Sequence, residues 1–259
     1  MRVFLMLSRD PIFKPRVFLE MVSSHDIEIV GVAEVSPMKR GGFIKKIKAN
    51  IEFWGLKGFI WIGMQHMLSG FYGRFHLVPF AARWHMSIAG IAESYGISYY
   101  EVHDINKSEF KKVVKELAPD IIMSFQHQIF DGELIRLPRL AALNCHPALL
   151  PKYRGVKPLF WALRYGESEA GVSVHMLSEK IDAGAVIAHE RFRLSPDLSL
   201  YMWYRIAYAV SSRVMLKAIN NVRLGEGAGC EDVNDTAPYF REPKADDIDK
   251  FKEVGCRTY

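Results

Sequence analysis

The chain has 259 residues, enough for one sizeable core with or without a small appendage, and 49% hydrophobic against 24% charged residues excludes a disordered or low-complexity chain. Its 34 Lys and Arg against 29 Asp and Glu leave a net charge of +5, which favours anionic partners such as phosphates, nucleotides or RNA without singling one out. Three widely spaced cysteines, Cys145, Cys230 and Cys256, give neither a disulfide framework nor a C-x-x-C metal pair, which fits a reducing cytoplasm.

The N-terminus, MRVFLMLSRDP, meets charge and proline too early for a signal peptide and reads as a first buried strand. FKPRVFLEMVSSHD then spaces Val17, Phe18, Met21 and Val22 along one helix face, and IEIVGVAEV is a second strand. Residues 37–83 break this pattern with basic residues, glycines and large apolar side chains, and read as an inserted helical segment. Within it, Gly58 to Gly73 lacks charge but is shorter than the roughly 20 residues a bilayer crossing needs. Lys45, Lys46, Lys48 and Lys57 flank Phe53, Trp54, Phe59 and Trp61, so a lid or homodimer contact packed on the core and a peripheral membrane contact both stay open.

A second cycle follows: ISYYEV as a strand, SEFKKVVKELAPD as a helix capped by Ser108 and stopped before Pro119, and DIIMSF as the next strand. This alternation predicts an α/β fold, a mostly parallel twisted sheet with helices on both faces. LAALNCH is a further strand, and in such sheets ligands sit at the carboxyl ends of the strands. GVSVHML and GAVIAHERFRL read as a pair of strands, LSLYMWYRIAYAVSSRVMLKAINNV as a long amphipathic helix, and the polar tail APYFREPKADDIDKFKEVGCRTY, from Ala237 on, as a surface wrapping.

The chemistry concentrates where LAALNCH ends. Asn144 and His146, two residues apart on a strand, point to the same side, so an amide donor and an imidazole can meet one substrate atom. Asp182 follows in MLSEKIDAGAVI, a Gly-containing turn between two expected strands, where a carboxylate could orient the imidazole and hold its charge.

The block Leu143 to Ile187, LNCHPALLPKYRGVKPLFWALRYGESEAGVSVHMLSEKIDAGAVI, resembles the folate-dependent formyltransferase family: its Asn, His, Ser-Leu-Leu-Pro loop and downstream Asp occur in order and at matching spacing. Ala148 stands where that family has Ser. The resemblance implies a Rossmann-like formyltransferase fold over residues 1–222 with a C-terminal extension at 223–259, and Asn144, His146 and Asp182 as a catalytic trio. It implies 10-formyltetrahydrofolate as formyl donor, a primary amine as acceptor and no metal. The loop carrying Pro147 and Pro151 is expected to be rigid, with a cis Leu150–Pro151 bond.

By the same resemblance, folate lies against Met123 to Pro138, with Phe125, Gln126, His127, Ile129, Leu143 and Asp182 as contacts, although Phe125, Gln126 and His127 replace the family's small residues. The loop residues Lys152, Tyr153, Arg154 and Gly155 are expected to meet the acceptor. SRDPIFKPR lacks the Gly-rich phosphate loop of the glycinamide ribonucleotide branch, and about 40 residues after the last helix are too few for the RNA-binding domain of the methionyl-tRNA branch. An amino sugar on a nucleotide is therefore the leading acceptor. A tRNA acceptor, a formyl-folate hydrolase and a non-catalytic folate- or nucleotide-binding module stay open as alternatives.

Overall fold

The computed structural model describes residues 1–37, 43–74, 87–195, 197–226 and 237–259. Its strands are β1 (Arg2–Ser8), β2 (Glu28–Val35), β3 (Tyr99–Val102), β4 (Ile121–Phe125), β5 (Ala141–His146), β6 (Arg154–Gly155), β7 (Glu169–Met176), β8 (Val186–Arg193) and β9 (Tyr239–Phe240). The helices are α1 (Lys14–Val22), α2 (Phe43–Arg74), α3 (Ile88–Ser94), α4 (Ser108–Leu117), α5 (Gly132–Ile135), α6 (Pro158–Arg164), α7 (Leu200–Arg223) and α8 (Ala245–Glu253). Seven strands form one sheet in the order β3-β2-β1-β4-β5-β7-β8, and β6 and β9 form a separate two-stranded ribbon. The first five strands of the sheet run parallel, and β7 then pairs antiparallel with both β5 and β8. The fold is mostly parallel and Rossmann-like, as the alternation predicts.

Two cores follow from strand alternation. Val3, Leu5, Leu7, Ile121, Met123, Leu143 and Cys145 face one side, where α1 and α7 cover them, while Phe4, Met6, Ile122 and Ala142 face the other with Phe110 and Val114 of α4. Strands buried on both faces read as near-continuous apolar runs, and that is why VFLML and IIMSF carry so little polarity. The strand order reverses its direction of growth at β1, whose neighbours are β2 and β4, and this opens a crevice beyond the carboxyl ends.

Two expectations need correction, and a third is seen in part. Lys107, not Ser108, is the residue capping α4, and it makes no side-chain cap bond, because the helix already begins at Ser108, one residue earlier than a Ser108 cap requires. The polar tail does more than wrap the surface: Ile248 and Phe251 of α8 enter the main core, and Phe251 stacks on Phe160 at 4.7 Å. The expected insertion at 37–83 is, where described, the single element α2, broken at Gly55 (φ 72°, ψ 163°) and anchored by Phe53 against Phe160; residues 38–42 and 75–83 of it lie outside the described residues. Among the described residues, no helix is long and apolar enough to cross a membrane.

Candidate active site

The end of β5 sets the geometry. In the antiparallel register Asn144 lies opposite His175 and His146 opposite Ser173, so four polar side chains share one face of two adjacent strands. Ser173 Oγ donates to Ala148 O at 2.8 Å and accepts from Leu150 N at 3.2 Å, fixing the loop that leaves β5. The Leu150–Pro151 peptide in that loop is cis.

Asp182 reaches this face from the turn between β7 and β8. Its Oδ2 lies 3.7 Å from His146 Nδ1, its Oδ1 3.6 Å from His175 Nε2, and Gly155 N donates to Oδ2 at 2.9 Å. Asn144 Nδ2 stands 3.3 Å from His175 Nε2, and Met176 O is 2.8 Å from His175 Nδ1. The carbonyl at Nδ1 assigns a proton there, so in the neutral ring Nε2 accepts from the Asn144 amide. One of the two amide hydrogens of Asn144 is thereby used, and the other remains for a ligand. His146 faces an oxygen at each nitrogen, Tyr153 O at 3.0 Å from Nε2 and Asp182 Oδ2 at 3.7 Å from Nδ1.

Burial alone would raise the Asp182 carboxyl, but the neighbouring His146 and His175 imidazoles and the hydrogen bond from the Gly155 amide together outweigh it and hold the group well below the usual carboxylate range. The carboxylate is ionised at neutral pH. Asp182 itself has φ 48°, and its turn presses on β7 so closely that a Cβ on Gly184 would stand 2.0 Å from Met176 O. Only glycine fits there. Gly155 is equally constrained, with φ 99° and a Cβ position 2.3 Å from Phe240 O.

The structure therefore brings Asn144, His146 and Asp182 into one cluster and adds His175, which the sequence reading did not single out. The available signal was the run GVSVHM, where Ser173 and His175 are the polar residues on one side of an otherwise apolar strand. Of the expected donor contacts, Leu143 and Phe125 direct their side chains into the core, and Phe125 stacks on Tyr208 at 4.9 Å. Gln126 folds back on its own loop, donating to Gln128 O at 2.9 Å and accepting from Gln128 N. His127 and Ile129 are both exposed.

The loop residues expected to meet an acceptor are engaged within the protein. Lys152 Nζ and Tyr153 OH both donate to Glu167 Oε1 at 2.9 Å. Arg154 is buried, donates to Ile181 O at 2.7 Å through Nη2 and to Ala237 O at 3.3 Å through Nη1, and so ties the Asp182 turn to the tail. Gly155 supplies its N–H to Asp182.

Two cavities contain none of the cluster's side chains. One of about 230 Å³ lies behind the loop, between Leu149, Tyr153, Leu159 and Arg191. The other, about 280 Å³, lies beyond β1 and is lined by Phe13, Arg16, Gln65, Tyr201, Arg205 and Tyr208. Beneath it Lys14 is fully buried, its Nζ over the Phe125 ring, and burial drives its pKa well below the ordinary value against a smaller opposing pull from Asp10. Cys145, on the same face, is pushed up to about 12 by burial, with Lys14 and Ser211 opposing. Among the described residues, no group of three His, Cys, Asp or Glu could hold a metal ion.

A family model described as formyl transferase matches residues 85–219, over half of the chain, with Asn144, His146, His175 and Asp182 all inside the match. The chain belongs to the formyl transferase family. Its fold is shared with an N-formyltransferase from Helicobacter canadensis in complex with folinic acid and dTDP-3-aminofucose, at 16% identity and a TM-score of 0.60 over 98% of this chain and 81% of that one. It is also shared with a phosphoribosylglycinamide formyltransferase from Anaplasma phagocytophilum, at 15% identity and TM-score 0.59 over 93% and 99% of the two chains. A formyltetrahydrofolate deformylase from Pseudomonas syringae matches at 20% identity and TM-score 0.60, over 90% of this chain and 65% of that one. At these identities the likenesses establish the fold of this family member, and its chemistry is argued from its own residues.

Proposed function

We propose that this formyl transferase moves a formyl group from 10-formyltetrahydrofolate to a primary amine carried by a nucleotide-linked amino sugar, with Asn144, His146 and Asp182 at the reacting atoms and His175 as their positioning residue. The observation behind this reading is an ionised carboxylate set between two imidazoles, with an amide donor on the same strand face. The donor set suits the chemistry: N–H groups for an oxygen that gains charge, and a carboxylate for a proton that must leave an amine. When bound, the folate supplies the formyl carbon and the nitrogen that departs from it.

In this reading the acceptor nitrogen forms a bond to the formyl carbon while the carbonyl electrons move onto oxygen. The unused hydrogen of Asn144 Nδ2 and the His146 ring stabilise that oxygen. Asp182 takes the amine proton directly or through water, and a proton reaches the folate nitrogen as its bond to the formyl carbon breaks. A ligand oxygen must displace Tyr153 O as the acceptor of His146 Nε2, so the Pro147 to Tyr153 loop adjusts on binding. Because Gln126 is self-bonded and Phe125 and Leu143 face the core, the pterin ring is read by backbone groups between Phe125 and Ile129.

Two features support the acceptor class. One neighbour of this fold is an N-formyltransferase in complex with folinic acid and dTDP-3-aminofucose. The cavity beyond β1 joins two guanidinium groups, Arg16 and Arg205, to the rings of Phe13, Tyr201 and Tyr208, a lining that suits phosphate beside a sugar or base. Residues 1–222 then form the catalytic unit, with 223–259 as an extension whose described part packs on it.

The deformylase neighbour favours one second reading, in which water takes the place of the amine. Incubation with 10-formyltetrahydrofolate and a panel of amino-sugar nucleotides, with products weighed by mass spectrometry and free formate measured, separates the two. A formylated sugar supports transfer. Formate released at the same rate with and without every amine contradicts it.

A further inference from the structure

The second half of α2 turns hydrocarbon toward water. Past the break at Gly55, the residues facing the protein are Gly58, Phe59, Ile62 and Gln65: Gly58 lies against Tyr259, and Gln65 accepts a hydrogen bond from Tyr201 OH at 3.0 Å. At 100° per residue, Leu56, Lys57, Ile60, Trp61, Met64 and Met67 fall on one outward arc. Five of these six are large and apolar, with exposures of 61% for Leu56, 58% for Ile60, 39% for Trp61, 38% for Met64 and 67% for Met67. A helix lying on a globular domain ordinarily turns such a stripe to the core and charge to solvent. Here the stripe faces solvent instead, and a contiguous exposed apolar stripe of this kind marks an interaction surface.

Charge selects the partner. Lys57 lies on the outward arc itself and Lys48 is exposed before the break at Gly55, against Glu52. A second copy placed on the stripe by two-fold symmetry would bring like cations together, because an isologous contact sets the same patch against itself. An anionic lipid surface answers both features, taking the apolar side chains at the acyl boundary and the lysines at its phosphates. We propose that the Leu56 to Met67 face docks this protein on an anionic membrane surface, with the helix lying in the interface plane. No helix among the described residues is long and apolar enough to span. Gln65, on the inner side of the same helix, lines the cavity beyond β1, so docking sets that cavity beside the lipid headgroups.

Sedimentation of the full chain with vesicles tests this, using pure phosphatidylcholine and phosphatidylcholine containing about 30% phosphatidylglycerol. The expected result is at least about tenfold tighter binding to the anionic vesicles, weakened by salt. The double variant Ile60→Gln with Met67→Gln alters exposed side chains, so it should keep its thermal midpoint while losing at least about tenfold in vesicle binding. Absence of binding by the wild type overturns the proposal, as does binding that the double variant leaves unchanged. Light scattering that finds a dimer dissociated by the same double variant, with no vesicle binding, assigns the face to a second copy.

Discussion

Gly184→Ala tests the placement of Asp182 without altering any group that does chemistry. The added Cβ would stand 2.0 Å from Met176 O and 2.8 Å from Met176 C, where about 3.3 Å is an ordinary carbon to oxygen contact. The strand cannot yield easily, because β7 is hydrogen-bonded on both sides and Met176 N donates to Ala185 O at 2.8 Å. The turn must therefore retreat by about 1.3 Å, the difference between the two contacts. Asp182, two residues away, then leaves imidazole contacts that stand at only 3.6 and 3.7 Å. Overpacking of this kind costs about 1–3 kcal/mol of stability, and a displacement of about 1 Å at a positioning group lowers turnover about 100-fold. The assay is kcat/KM for formyl loss from 10-formyltetrahydrofolate in the presence of an acceptor amine, read beside the thermal midpoint. Turnover within about threefold of wild type would refute the claim that this turn positions the carboxylate.

His175→Gln should lower kcat about tenfold with little change in donor KM, since it loosens Asn144 and Asp182 without touching substrate; an unchanged kcat would remove His175 from the positioning role. The Asp182 pKa is depressed in the folded state, so its stabilisation is present above the ordinary carboxyl value near 4 and is lost as pH falls below it toward the folded value. Urea midpoints measured from pH 7 downward should thus fall more steeply below about pH 4 in the wild type than in Asp182→Asn, and parallel curves would contradict this. Arg154→Ala removes the donors to Ile181 O and Ala237 O and should cost about 1–3 kcal/mol, seen as a lower thermal midpoint. A midpoint equal to wild type would show that the tie between the Asp182 turn and the tail contributes nothing.

The parallel half of the sheet was legible because its strands are short β-branched runs between helix signals, as in IEIVGVAEV and DIIMSF. Asn144, His146 and Asp182 were legible through spacing and family resemblance. The role of His175 was not, since it depends on antiparallel register across β7, and register is fixed by pairing rather than by local sequence. Arg154 misled for a related reason: a cation in a proline-rich loop looks available, yet the β6 and β9 ribbon buries it against backbone carbonyls contributed from residues 181 and 237. The tail was read as surface because its composition is polar, while Ile248 and Phe251, three residues apart, form a helical stripe just wide enough to enter the core.

The most direct test of the account follows an isotopically labelled formyl carbon under single-turnover conditions, with wild type and with His146→Ala, in the presence of an amino-sugar nucleotide. The account predicts that the label appears on the sugar nitrogen with the wild type, and that His146→Ala, folded by circular dichroism, transfers it at least about 100-fold more slowly. Transfer by folded His146→Ala at the wild-type rate would contradict it.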